Sequence, residues 1–124
     1  MPILNVQIMQ GHSAQQKSEL LTRVSQAVVD SLAAPLASVR IVLQEVPPEH
    51  VIVAGELGKD MALLRVMLIE GRTEEKKAAM LAAVSRAVHD SIGISEEDVR
   101  IIITDVPKTD MGVAGGISAK AAGR

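Results

Sequence analysis

The chain has no phenylalanine, tyrosine or tryptophan, and no cysteine. Without aromatic rings its core must be assembled from Leu, Ile, Val, Met and Ala. It also has no platform on which nucleic-acid bases could stack. Without thiols there is no disulfide, no cysteine nucleophile and no thiolate metal ligand, a composition that suits a cytoplasmic protein. The three histidines, His12, His50 and His89, are scattered and show no metal-ligand spacing, so no metal is expected. Charge of one sign is also missing. Thirteen basic residues face fifteen acidic ones, with no basic run of the kind that marks a nucleic-acid or membrane footprint. No apolar run approaches the length of a membrane span, and the start lacks the charged-then-apolar order of a secretory leader. What is present is 48% apolar residues in 124, enough for one compact domain with a buried core.

That core is specified twice. Gly11 matches Gly71, the run Val24 to Ser31 matches Val84 to Ser91, and Val39-Arg40-Ile41 matches Val99-Arg100-Ile101. Pro47 matches Pro107 and Ala54-Gly55 matches Ala114-Gly115, always 60 positions apart. One constant offset over both halves indicates a tandem duplication, with units at residues 1–60 and 61–124.

Each unit reads strand, helix, strand and a glycine-containing tail. Leu4, Val6 and Ile8 alternate along a first strand that starts at Pro2 and ends at the Gly11 turn. Ser13 with Gln16 forms a capping box. Leu20, Val24 and Val28 then keep helical spacing, and Pro35 with its neighbours ends the helix. Val39 to Val46 is a strand stopped by Pro47-Pro48. The second unit repeats this, with Leu64 to Ile69 as strand, Thr73 as cap, and Val99 to Val106 as strand. Right-handed crossovers make each strand pair parallel. The expected fold is α/β, with tandem β-α-β units forming a four-stranded sheet and both helices on one face. The other face also carries apolar residues, among them Val42, Val46, Met67, Ile69, Ile102 and Val106. No further element remains to cover them, so an oligomer with sheets packed face to face is expected.

The chemistry is expected at Pro2. Its small size favours removal of Met1, which would leave a free secondary amine held at the start of a strand. A free α-amine ionises at about 7.7 to 8.0 in model peptides. Burial and nearby cations both lower that value, making the amine a general base or nucleophile at neutral pH. The second unit carries Ala62 at the matching position, inside the chain, so only one unit can supply an amine. Arg40 and Arg100 open the second strand of each unit, and Arg72 follows Gly71 where the first unit has His12. Taken singly, each arginine is most simply a solvated surface charge. As a set at strand junctions they are suited to binding carboxylates bidentately and to stabilising enolate charge.

These features together resemble the tautomerase superfamily, in particular 4-oxalocrotonate tautomerase. They are the amino-terminal proline, the run Glu70-Gly71-Arg72 after a first strand, the run Ser38-Val39-Arg40 opening a second, and a glycine-containing hairpin tail. The match covers both halves, as though two short subunits had been fused. The resemblance implies a homotrimer of such pairs in place of a hexamer. It implies Pro2 as the general base that shuttles a proton in a small unsaturated keto or enol (di)carboxylic acid such as 2-hydroxymuconate. It implies substrate binding by Arg72, Arg40 and Arg100, and no cofactor. In the family the loop arginine can come from the other unit of the pair, so Pro2 would use Arg72 while His12 faces Ala62. A tail phenylalanine common in the family is replaced here by Val51 and Met111, and Met111 takes the role of apolar wall.

Two other readings are available. A hydratase or dehalogenase on the same scaffold needs a carboxylate near the amine, for which Glu49, Glu56 and Asp110 are candidates. A non-catalytic small-molecule binding module would need no free amine.

Overall fold

The computed structural model describes residues 1–124. Strand β1 spans Ile3–Met9, helix α1 Ala14–Leu32 and strand β2 Arg40–Val46. A tail hairpin of β3 (Ile52–Val53) and β4 (Glu56–Leu57) closes the first half. The second half has β5 (Ala62–Ile69), α2 (Glu74–Ile92) and β6 (Val99–Val106), followed by a longer glycine-rich tail. The sheet order is β2-β1-β5-β6. The two outer pairs are parallel and the central pair, β1 with β5, is antiparallel. The four-stranded sheet and two packed helices agree with the arrangement expected from the sequence.

The two-residue period of the strands and the 3.6-residue period of the helices meet in one core. Leu4, Val6 and Ile8 of β1 and Leu64, Val66 and Leu68 of β5 point at Leu20, Val24 and Val28 of α1 and at Met80, Val84 and Val88 of α2. All twelve are almost completely buried. The equivalent ion pairs Lys17–Glu45 (2.9 Å) and Lys77–Asp105 (2.6 Å) tie each helix to its own outer strand, so the duplication preserves surface contacts as well as the core.

Helix starts follow the sequence signals. Ser13 accepts from the Gln16 N–H while the Gln16 side chain accepts from the Ser13 N–H, a complete capping box. Thr73 accepts from the Lys76 N–H, and Glu74 and Glu75 add charge complementary to the helix dipole. The stop of α1 falls beside Pro35 as expected, with a left-handed cap the sequence did not signal. The helix ends two residues ahead of Pro35, at Ala33, which adopts the left-handed conformation (φ 52°) and donates to the Val29 carbonyl. In α2 a glycine, Gly93, fills that position at lower conformational cost.

The far face of the sheet is covered at one end from within the chain. Met111, Val113 and Ala119 of the second tail fold over Ile69, with Met1, Ile3 and Val106 packed around them. The expectation that nothing in the chain reaches this face therefore fails at that end. Toward the outer strands it holds, where Val42 and Ile102 remain 63% and 50% exposed.

Candidate active site

Strand register determines which groups meet at the front of the chain. In the antiparallel centre Ile3 lies opposite Met67 and Ile8 opposite Ala62. The start of β1 therefore runs beside the end of β5 and the loop that follows it. That loop carries Arg72, whose Nη1 donates to the Ile69 carbonyl at 3.1 Å. Gly71, at φ 115°, makes the turn that brings Arg72 back. On the other side, β2 pairs parallel to β1, and the Arg40 N–H donates to the Pro2 carbonyl at 3.1 Å. Pro2 is buried and Met1 half-buried.

Two adjoining clefts open at this point. One, of about 540 Å³, is walled by Ile3, Ala37, Arg40, Met111 and Val113. The other, of about 390 Å³, is walled by Ile69, Glu70, Gly71, Arg72 and Lys108. Met1, Pro35, Ser38 and Arg124 belong to both. The terminal amine in this position is less basic than an ordinary α-amine. Burial is the largest cause, followed by the positive charges of Arg72 and then Arg124. Glu70 is the one carboxylate in either wall; Glu49, Glu56 and Asp110 line neither cleft.

Of the residues singled out from the sequence, the fold thus gathers Pro2, Arg40, Arg72 and Met111 at one end of the sheet. Arg100 lies at the other. It shares the pseudo-equivalent cleft with Met61, Ala62 and Lys59, and its Nη1 is engaged with the Glu97 and Val99 carbonyls at 2.6 and 3.0 Å. In that cleft the place of the amine is taken by an internal peptide. Lys59 there pairs with Asp98 at 3.6 Å, and His12 at the same end of the sheet lies 3.5 Å from Asp60. Arg124 had no sequence signal. It falls beyond the end of the repeat, because the position 60 residues earlier, Leu64, is already inside β5.

Such a site can exchange protons with a carbon acid while guanidinium groups hold its negative ends. The profile described as "Tautomerase enzyme" matches the chain twice, over residues 2–61 and 63–121. The chain belongs to the tautomerase family. Its reaction class is isomerisation, the movement of a proton within one molecule. A 2-hydroxymuconate tautomerase of Comamonas testosteroni is 42% identical over 64 residues, which is all of that protein and 52% of this tautomerase. Whole-length similarity is found with fused proteins. A fused 4-OT solved as a symmetric trimer is 57% identical with a TM-score of 0.96, covering 98% of this chain and 99% of the other. A second structure, of a protein inactivated by 2-oxo-3-pentynoate, is 47% identical with the same TM-score and the same coverage.

Proposed function

We propose that the mature tautomerase, with Met1 removed, catalyses keto–enol tautomerisation of a small unsaturated dicarboxylate such as 2-hydroxymuconate, in the cytoplasm, with Pro2 as the general base. The observation that carries this reading is the terminal nitrogen itself. It is partly buried, less basic than usual, and faces a guanidinium from the other half of the chain. Removing Met1 passes the free amine to Pro2, one residue deeper. Its lone pair accepts a proton from the enol, and the resulting ammonium returns that proton to a carbon of the conjugated chain. The amine ends as it began, and no cofactor takes part.

Arg72 binds and polarises the substrate in the same chain. Arg40 borders the cleft and holds a carboxylate there. Arg100 acts only where another copy brings it to this end. Met111 forms the apolar wall that keeps water from the amine. A homotrimer is supported by the trimeric state of the fused 4-OT relative and by the uncovered Val42 and Ile102.

The test is mass spectrometry of the intact protein before and after treatment with 2-oxo-3-pentynoate. The expected result is a chain lacking Met1 that gains one adduct, mapped to Pro2, and loses turnover in parallel. A retained Met1 in active protein, or full inactivation with Pro2 unmodified, would overturn the assignment.

A further inference from the structure

The duplication supplies an internal comparison at the two ends of the sheet. Around the amine, the second half contributes Arg72 and Lys108. At the matching positions the first half has His12 and Pro48. Arg40 and Arg100 are kept at both ends, but at the amine end Arg72 and Lys108 stand where the far end has a histidine beside Asp60 and a proline. Arg124 belongs to this asymmetry and has no counterpart in the repeat.

Its placement is fixed by the backbone. The Arg124 N–H donates to the Ala119 carbonyl at 2.9 Å, and Ala119 is fully buried. Gly123, at φ 75°, allows the chain to turn there. A second tie, from the Lys120 N–H to the Lys108 carbonyl (3.1 Å), holds the tail against the segment after β6. The side chain makes no hydrogen bond or ion pair with the protein, whereas the Arg72 and Arg100 guanidinium groups each donate to backbone carbonyls. Arg124 also borders both lobes of the cleft, next to the terminal residue, with Arg40 in one lobe and Arg72 in the other. A substrate lying across the amine with one end in each lobe passes this guanidinium.

We propose that Arg124 is a specificity-determining residue that binds a substrate carboxylate at the junction of the two lobes and favours dicarboxylates over monocarboxylates. This rests on Pro2 acting as the base. An unpartnered guanidinium beside an apolar wall is a strong donor site for a carboxylate, since a charge-assisted bond there replaces only water.

The test compares the full-length parent with Arg124→Ala and Arg124→Lys, after circular dichroism and sedimentation show unchanged fold and mass. Substrates are 2-hydroxymuconate and the one-carboxylate dienol 2-hydroxypenta-2,4-dienoate. For Arg124→Ala the ratio of kcat/KM between the two should fall about tenfold, carried by KM for the dicarboxylate, the loss of one exposed charged contact. Arg124→Lys should recover most of that ratio. The acid limb of the kcat/KM profile should move to higher pH in Arg124→Ala and stay in Arg124→Lys, because a cation beside the amine has gone. The other charges facing that amine, Arg40 from β2, Glu70 and Arg72 after β5 and Lys108 after β6, are the same in all three proteins. An unchanged ratio and an unchanged limb would overturn the proposal. The 2-oxo-3-pentynoate adduct, mapped in parallel, separates the two readings. Full inactivation with Pro2 unmodified rejects the base itself, whereas an adduct on Pro2 beside a parent-like Arg124→Ala rejects Arg124 alone.

Discussion

Pro2 is an ordinary residue whose position makes it unusual. Burial makes the Met1 amine less basic than an ordinary α-amine, and the charges of Arg72 and Arg124 add to this; with Met1 removed, as proposed, the same surroundings would favour the neutral form of the Pro2 amine. The sign gives a pH prediction. Because the amine must be unprotonated to accept a proton, kcat/KM should rise with pH and level off below the pH at which an ordinary α-amine would, about 8. A midpoint at or above that value in a pH–rate profile would contradict the effect of burial. Pro2→Ala exchanges the ring-held secondary amine for a freely rotating primary one and should lower kcat by up to about 10²-fold, the lower end of what a positioned general base contributes. Arg72→Ala should reduce kcat/KM by roughly 10-fold to 10²-fold, the worth of a hydrogen bond to a charged group. His12→Ala should change it less than about twofold, since His12 sits with Asp60 at the opposite end. The reverse ranking in steady-state assays would reject the cross-half arrangement. At this scale the sequence was informative where the repeat could be compared with itself: Pro2 against Ala62, Arg72 against His12. Arg124 stayed hidden because no second copy exists to compare it with.

Among the elements, the caps give a paired test. Ser13→Ala and Thr73→Ala each remove one side-chain acceptor from a helix start and should each cost about 1 kcal/mol in chemical denaturation. Their effects on turnover should differ. Thr73 follows Arg72 directly, so loosening its cap lets the arginine loop wander and lowers kcat/KM. The matching loss at Ser13 disturbs only His12. Equal effects on turnover at equal loss of stability would show that loop position is not what matters. Elements were the most legible part of the fold, because core periodicity and cap residues each occur twice and agree. Boundaries were less so. Ala33 ends α1 by adopting a left-handed backbone that most sequences reserve for glycine, and nothing in its own chemistry announces that. The fold of the second tail over Ile69 is likewise a tertiary event, set by Met111 and Ala119 finding an apolar strand end.

For the whole molecule, the proposed homotrimer would be built on the far side of the sheet. Val42 and Ile102 stand exposed on the two outer strands. Val42→Asp with Ile102→Asp should reduce the sedimentation mass of the protein below that of a trimer, while far-ultraviolet circular dichroism stays unchanged. A trimer that survives both charges would place the interface elsewhere. Leu64→Ala, in the middle of β5 and fully buried, should instead lower stability by about 2–5 kcal/mol. The sequence foretold that this sheet has two apolar faces, since alternate positions of one strand can be counted. It did not foretell which parts of the second face the chain covers itself.

The opposed directions of β1 and β5 carry an engineering consequence. They put the amino terminus and the Arg72 guanidinium on different halves of one gene, and leave a similar mouth without a terminus at the far end. Expressed as two polypeptides divided between Asp60 and Met61, the halves would re-form the same sheet and expose a second amino terminus at that mouth. With proline at 62 and arginine at 12, the split protein should turn over substrate at both ends, and titration with the acetylenic acid should then count two sites where the fused chain has one.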